Sequence, residues 1–332
     1  MNFSQTYPRL LGDIGGTNAR FAMQTIENGP LIKAQTLRCK NYEYPIDAIK
    51  DYLEINMLPS PVWAAIGIAT DVSGDVIKMT NNHWQFSKKI LKTALGLDLL
   101  EVLNDFTSLA LAIPTLQQDQ LKKIGSGTPD PKKPCGLIGA GTGLGISGLI
   151  LDGGKRIPLS GEGGHATLSA FNSYEAELIS ILREQFEHVS VERVLSGPGI
   201  ENLHRAILQH AGFNADDPRF HKKAHEITET GIAKTCDYAQ KTLDVFCEIF
   251  GTVSSDLALT LGAKGGLYIG GGIIPKLGYF FEKSGFRGRF ENKGRFSNYL
   301  REIPTWVIDD QCWPGIIGAA NSLDQACQLM MK

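Results

Sequence analysis

The sequence is short of the features that mark several large classes of protein. Its six cysteines, Cys39, Cys135, Cys236, Cys247, Cys312 and Cys327, form no C-x-x-C pair. That excludes a zinc knuckle or a thioredoxin-like site and reads as reduced thiols in a cytoplasmic protein. There is no long basic run, and a formal net charge of −2 gives no field that favours nucleic acid or an anionic membrane. Met1 to Pro8 is polar and has no signal-peptide core. Cys135 to Leu151 is uncharged, but it holds six glycines between Lys133 and Asp152, so no membrane helix is expected there. No Walker A sequence occurs.

What is present is ordinary in bulk and specific in detail. A chain of 332 residues suggests two domains of usual size or one large one. With 42% hydrophobic and 20% charged residues it has the material for a sizeable core. The stretch from Leu10 to Met23 reads as strand, tight turn, strand, because Gly15 and Gly16 can take positive φ without a Cβ penalty. Backbone N–H groups of such a turn and the Thr17 hydroxyl suit a polyphosphate, and Asp13 can hold a magnesium ion through water. An ordinary hairpin in which Asp13 and Thr17 stabilise the turn fits the same residues.

Strand and helix patterns then alternate. Leu31 to Arg38 and Val62 to Ala69 read as strands, and Ile46, Ile49 and Leu53 lie on one helical face. Val76 to Met79 follows a turn, Ser87 can cap a helix, Leu99 to Leu103 returns as a strand, and Phe106 to about Ile113 reads as helix. The order predicts an α/β domain. Gln117 to Lys133 is polar with Gly125, Gly127, Pro129 and Pro131, and reads as a linker at a domain boundary. Beyond it the opening plan repeats: Cys135 to Ala140 and Leu144 to Leu151 are strands around Gly141-Thr142-Gly143, with a turn at Asp152-Gly153-Gly154. Ser173 reads as the cap of a helix through Phe186, and Ile200 to Gln209 reads as another. A long helix is expected from about Ile232, ended by Gly265-Gly266. Leu267 to Ile269 and Thr305 to Ile308 read as strands, and Gly315 to Met330 as a terminal helix packing on the first domain.

Several polar or glycine-rich segments carry candidate chemistry. Gly143 to Gly148 matches G-x-G-x-x-G, but a strand follows rather than the helix that motif should open. The loop from Gly139 to Gly145 instead echoes the first glycine turn, and two such loops from two halves can grip a nucleotide's phosphates. Gly270-Gly271-Gly272 can let an adenosine lie against the backbone, or simply enter a helix. Asn104-Asp105 sits where a strand meets a helix; Asp105 fits either a general base for a substrate hydroxyl or a helix N-cap. Gly161-Glu162-Gly163-Gly164-His165 reads as a polar loop between strands that exposes a donor and acceptor pair suited to a hydroxyl-rich ligand. Glu192, before Ser196-Gly197-Pro198-Gly199, reads most simply as an acid in a first helical turn.

Taken in order, these segments resemble the bacterial glucokinase family, which has the actin-like ATPase (ribonuclease H-like) fold shared by hexokinases. Gly12 to Arg20, Leu103 to Thr107, Gly139 to Gly145, Gly161 to His165, Glu192 to Gly199 and Gly266 to Pro275 are similar to six family motifs across nearly the whole chain. The resemblance implies two domains with a cleft between them, a small one of residues 1–114 plus 315–332 and a large one of 115–314. It implies ATP- and Mg²⁺-dependent phosphorylation of the glucose 6-hydroxyl, feeding glycolysis, with Asp105 as general base. Asn104, Asp105, Glu162, His165 and Glu192 would hold the sugar. Gly12, Asp13, Ile14, Gly15, Gly16, Thr17, Gly141, Thr142, Gly270, Gly271 and Gly272 would hold ATP, with Asp13 facing the metal through water. The family is commonly homodimeric.

Two places depart from the family pattern: the segment around Asp71, before Gly74-Asp75, where the family usually has a proline, and Asn82, where histidine is usual. A kinase for another hexose (fructose, mannose or an N-acetylhexosamine) and a non-catalytic sugar-sensing regulator are the alternatives. Only twelve residues precede Asp13, too few for the DNA-binding helix-turn-helix that such regulators usually carry.

Overall fold

The run Arg9–Ile14 forms β1 and sends alternate side chains to opposite faces: Leu10 and Ile14 into one core, Leu11 into another. The structure is a computed structural model that describes residues 3–331; Met1, Asn2 and Lys332, assigned to the small domain in the sequence reading, lie outside the described residues. After Gly15–Thr17 the chain returns antiparallel as β2 (Asn18–Gln24), and β3 (Ile32–Arg38) pairs with β2. Helix α1 (Pro45–Ile55) starts on a proline, which needs no N–H there, and buries Ala48, Ile49 and Tyr52. Strand β4 (Trp63–Ile68) is buried at every position and joins β1 in parallel. A ribbon of β5 (Val76–Lys78) and β6 (Gln85–Ser87) leads into α2 (Lys88–Ala94), where the Ser87 side chain accepts the Ile90 N–H. Strand β7 (Leu99–Asn104) lies parallel to β4 and passes directly into α3 (Asp105–Ala112).

The second half repeats the layout. Strand β8 (Leu121–Ile124) is followed by β9 (Cys135–Ala140), β10 (Leu144–Asp152) and β11 (Lys155–Gly161). Helices α4 (Ser173–Gln185), α5 (Gly197–His210), α6 (Ala224–Ile232) and α7 (Asp237–Leu261) lead to β12 (Leu267–Gly270). Short helices α8 (Ile273–Leu277), α9 (Tyr279–Lys283), α10 (Phe286–Glu291) and α11 (Ser297–Arg301) precede β13 (Thr305–Ile308), and α12 (Pro314–Met330) closes the order.

The two large sheets have the orders β3-β2-β1-β4-β7 and β11-β10-β9-β12-β13-β8. Read strand by strand, β1, β2, β3, β4 and β7 correspond to β9, β10, β11, β12 and β13, with antiparallel β1–β2 and β9–β10 pairs and parallel β1–β4 and β9–β12 pairs. These are the mixed α/β sheets expected of an actin-like ATPase fold. The chain separates into two compact units, one of Met1–Gln117, Asp152–Ser160 and Gln311–Lys332, the other of Gln118–Leu151 and Gly161–Asp310.

In the first unit α12 covers the β-sheet face that carries Leu11, Ala22, Trp63 and Ala65, burying Ile316, Ala319 and Leu323 against them. It crosses α3 so closely that a Cβ at Gly318 would stand 1.7 Å from the Ser108 carbonyl oxygen. Two polar ties lock the crossing: Ser108 Oγ donates to the Gly315 carbonyl at 2.8 Å, and Asn321 Nδ2 donates to that of Leu111 at 2.9 Å.

Several sequence expectations change. The polar stretch read as a linker contains β8, whose Leu-Lys-Lys-Ile sequence pairs antiparallel with β13 and buries Ile124. Lysines on a short edge strand guard its unpaired side, and they also hide it from a pattern reading. The long helix expected from about Ile232 is α7, which starts at Asp237; a further helix, α6, precedes it and folds back on it, with Gly231 so close to Ala239 that a Cβ would lie 2.9 Å from its carbonyl oxygen. Helix α7 ends at Gly262 in the left-handed region (φ 61°), before Gly265, as a glycine C-cap requires. Asn172, rather than Ser173, caps α4 by accepting the Glu175 N–H at 2.8 Å. Among the described residues no helix is long and apolar enough to cross a membrane.

Candidate functional site

In the first unit the parallel register places Ile14 beside Ile68 and Ile68 beside Asn104. The turn after β1 and the junction after β7 therefore leave the sheet at the same carboxyl end, where open α/β sheets carry their ligands. Within the turn, the Gly15 N–H donates to the Asn18 carbonyl at 2.9 Å and the Thr17 carbonyl accepts the Cys39 N–H at 3.0 Å. Neither Gly15 nor Gly16 has positive φ, contrary to the sequence reading. Gly16 is required by proximity: a Cβ there would stand 2.7 Å from that of Asn81. Gly12 is buried within β1, facing Ile66 and Phe21, and Ile14 is buried beside it, while Thr17 is exposed.

Asn82, one of the two departures, braces this turn. Its Nδ2 donates to the Gly15 carbonyl at 3.3 Å and its Oδ1 accepts the Trp84 N–H at 2.8 Å. The Trp84 indole in turn donates to the Tyr42 carbonyl at 3.0 Å. The other departure, Asp71, folds on its own loop, accepting from Ser73 Oγ at 2.8 Å, and those Ser73 hydrogen bonds hold its carboxyl below the usual range.

Asp13 is half-buried, with Arg20 Nη1 at 3.5 Å from Oδ2. Gly315, at the start of α12, faces it so closely that a Cβ would lie 3.0 Å from the carboxyl carbon. Arg20 also lies over the Trp313 ring at 5.9 Å, and Trp313 holds a left-handed φ of 56° as the residue before Pro314. The sequence reading missed Gly315 and Trp313, because a neighbour three hundred residues away has no local signal.

The Asn104–Asp105 junction divides its duties. Asn104 Oδ1 accepts the N–H groups of Phe106 at 3.0 Å and Thr107 at 3.2 Å, so Asn104 is the N-cap of α3. Asp105 is the first helical residue, and its Oδ1 accepts the Phe106 N–H at 2.9 Å. The capping role that the sequence left open for Asp105 belongs to Asn104. Gly67 on β4 lets α3 settle here, since a Cβ would meet that of Ser108 at 3.1 Å.

The second unit gathers the other four segments. Strands β9 and β12 run parallel with Gly139 opposite Gly270, so their carboxyl ends lie side by side. Gly271, at φ 76°, presses on β9: a Cβ would stand 2.4 Å from the Ala140 carbonyl oxygen. Gly141 and Gly272 face open space, with nothing within 4 Å of a built Cβ, and Thr142 is exposed. The 161–165 segment is a 3-10 turn (Gly163–His165) following β11 rather than a loop between strands, and Gly164 packs against Leu144 at its carbonyl oxygen. The Glu162 and His165 side chains are exposed, with Oε2 and Nε2 4.0 Å apart. Glu192 lies on a 3-10 turn (Val191–Arg193), and its Oε2 accepts the Leu144 N–H at 2.8 Å. It is thus tied to the glycine loop and is not the dipole-facing acid of a regular helix.

Each unit thus presents a glycine turn at the carboxyl end of its sheet beside acidic side chains, and the solved structures that match include glucokinases and ROK family proteins, one of them a transcriptional regulator. A ROK family glucokinase from Streptomyces griseus in complex with glucose and AMPPNP shares the fold at a TM-score of 0.62 and 18% identity, covering 95% of this chain and 98% of that one. A glucokinase from an Antarctic psychrotroph matches at a TM-score of 0.85 and 35% identity, covering 96% of this chain and 98% of that one. A glucokinase of Aromatoleum aromaticum is 51% identical over 97% of this chain and 96% of its own length. The family profile described as Glucokinase matches residues 10–326. The chain belongs to the glucokinase family.

Proposed function

We propose that this protein transfers the terminal phosphoryl group of ATP to the 6-hydroxyl of glucose, giving glucose 6-phosphate for glycolysis. The observation that carries the mechanism is the position of Asp105 at the carboxyl end of β7, with the capping of α3 assigned to Asn104. A sugar hydroxyl is a poor nucleophile at neutral pH. The Asp105 carboxylate takes the proton from O6 as the O6 lone pair bonds to the γ-phosphorus, and the bond from phosphorus to the β–γ bridging oxygen breaks, releasing ADP. Asn104, Glu162, His165 and Glu192 hold the remaining sugar hydroxyls. The turn Gly15–Thr17, seated by Gly12 and Ile14, together with Gly141, Thr142 and Gly270–Gly272, receives the nucleotide.

The residues also fit Mg²⁺. Asp13 offers one hard carboxylate beside the glycine turn, and among the described residues no cluster of three or more His, Cys, Asp or Glu forms a metal cage. One carboxylate together with substrate phosphates is the usual setting for this ion. Asp13 would hold it through water, and the bound ion would neutralise developing phosphoryl charge. The reading includes a cytoplasmic homodimer and the two domains of residues 1–114 with 315–332 and 115–314.

Asp105→Asn tests the mechanism. The variant keeps its size, and the α3 cap is untouched because Asn104 supplies it. The expected result is a kcat lower by at least about 10²-fold, the usual worth of a general base, with unchanged thermal melting and retained glucose binding. A well-folded variant with near-normal turnover would overturn the assignment.

A further inference from the structure

The turn that carries Glu192 is tied to the glycine loop at residues 141–144 by more than one bond. Glu192 Oε2 accepts the Leu144 N–H at 2.8 Å. The Gly197 N–H donates to the Gly141 carbonyl at 2.8 Å. Between these ties, Ser196 Oγ donates to the Glu192 carbonyl at 2.8 Å and accepts the Gly199 N–H at 3.0 Å, which makes residues 192–199 one knot. Gly143 has to be glycine for the carboxylate to arrive: a Cβ there would stand 2.5 Å from Glu192 Oε2.

We propose that Glu192 positions the nucleotide loop as well as the sugar. Its Oε2 fixes Leu144, and so the turn Gly141–Gly143 that receives ATP phosphates, while Oε1 serves a sugar hydroxyl. This rests on the sugar-kinase reading above. A carboxylate is one rigid plane, so a sugar that orients Oε1 also orients Oε2 toward Leu144. The two ligands are then coupled through a single side chain, and by linkage each raises the affinity of the other by the same factor. A hydrogen bond to a charged group is strong enough to carry such coupling.

Calorimetry on the whole enzyme tests this, with glucose alone and, separately, with AMPPNP and Mg²⁺ in the absence of sugar. Glu192→Ala is expected to weaken AMPPNP binding on the order of tenfold although no sugar is present, which is the worth of one such hydrogen bond. Glu192→Gln keeps an oxygen for the Leu144 N–H and should restore nucleotide affinity. Gly143→Ala, a change in the nucleotide loop, should weaken glucose binding by displacing Oε2. Glu192→Ala with wild-type AMPPNP affinity and weakened glucose binding would overturn the coupling and leave the sugar site standing. If Glu192→Ala does not fold, unchanged glucose affinity in Gly143→Ala overturns it equally. A wild-type protein that binds neither glucose nor AMPPNP would instead sink the parent reading.

Discussion

His204 should make this protein lose stability in mild acid. The side chain is 1% exposed between α5 and α7. Thr242 Oγ1 donates to the Tyr238 carbonyl at 2.7 Å, so its lone pair accepts from His204 Nδ1 at 2.8 Å. That assigns the proton of the neutral ring to Nδ1 and leaves Nε2 buried without a partner. Burial first, then the charges of Lys222, Arg205 and Arg219, pull its pKa from 6.5 down to about 4. Because the folded value lies below the unfolded one, the unfolded chain takes the proton first. The stability contribution is whole above about pH 6.5, shrinks as pH falls, and is fully lost below about 4. At about 1.4 kcal/mol per pH unit the gap amounts to about 3 kcal/mol, of which about 2 should already be lost near pH 5. Denaturant unfolding of the wild type and of His204→Gln, followed across this range, checks it. The glutamine can still donate to Thr242 but does not titrate, so the difference between the two curves should narrow as the pH drops. Parallel curves would refute the argument.

Two glycines near the proposed nucleotide loop should behave in opposite ways. Gly141→Val faces open space without positive φ, so it should fold normally and bind glucose while losing AMPPNP affinity in calorimetry; unchanged nucleotide binding would make the loop merely structural. Gly271→Ala combines a φ of 76° with a 2.4 Å approach to Ala140, and should lower stability in thermal melts by at least about 1–2 kcal/mol, the cost of a Cβ in the left-handed region. In a coupled ATP-consumption assay glucose should give a higher kcat/KM than fructose, mannose or an N-acetylhexosamine, because a site built for particular hydroxyls leaves groups unpaired with the wrong sugar; equal values for glucose and fructose would end the claim of selectivity.

The strands and glycine turns were legible because their signals are local. Leu10 to Ile14, apolar except at Asp13, and Cys135 to Ala140 are runs stopped by glycine, and that pattern is enough to show both halves of the repeat. The roles of individual residues were less so. Asn104 and Asp105 are adjacent, and nothing in their spelling says which one caps α3; the answer depends on where the backbone turns. Asn82 stands out in the sequence only as a departure from the family pattern; that it braces Gly15 is hidden, because a contact across 67 residues leaves no trace in periodicity. Glu192 was assigned a hydroxyl-binding part, but its bond to Leu144 needs the register of β9 with β10 before it can be seen. Strand β8 escapes the pattern for a different reason, since its two exposed lysines outweigh the apolar ends Leu121 and Ile124 in any count.

The seat of α12 bears on the order in which a ribosome can complete this molecule. The face formed by Leu11, Ala22, Trp63 and Ala65 is made early, yet its cover comes from Ile316, Ala319 and Leu323. The amide of Asn321 that ties to Leu111 emerges 210 residues after its partner. Through all the intervening synthesis the early sheet has an apolar side with no native lid, and α3, which begins with Asp105, lacks the helix it is locked against. The second unit is continuous except for the excursion at Asp152–Ser160, and it can gather its core in the meantime. The proposed base therefore belongs to the part of the fold finished last, and a nascent chain halted before α12 would display a sticky, catalytically unfinished face to chaperones.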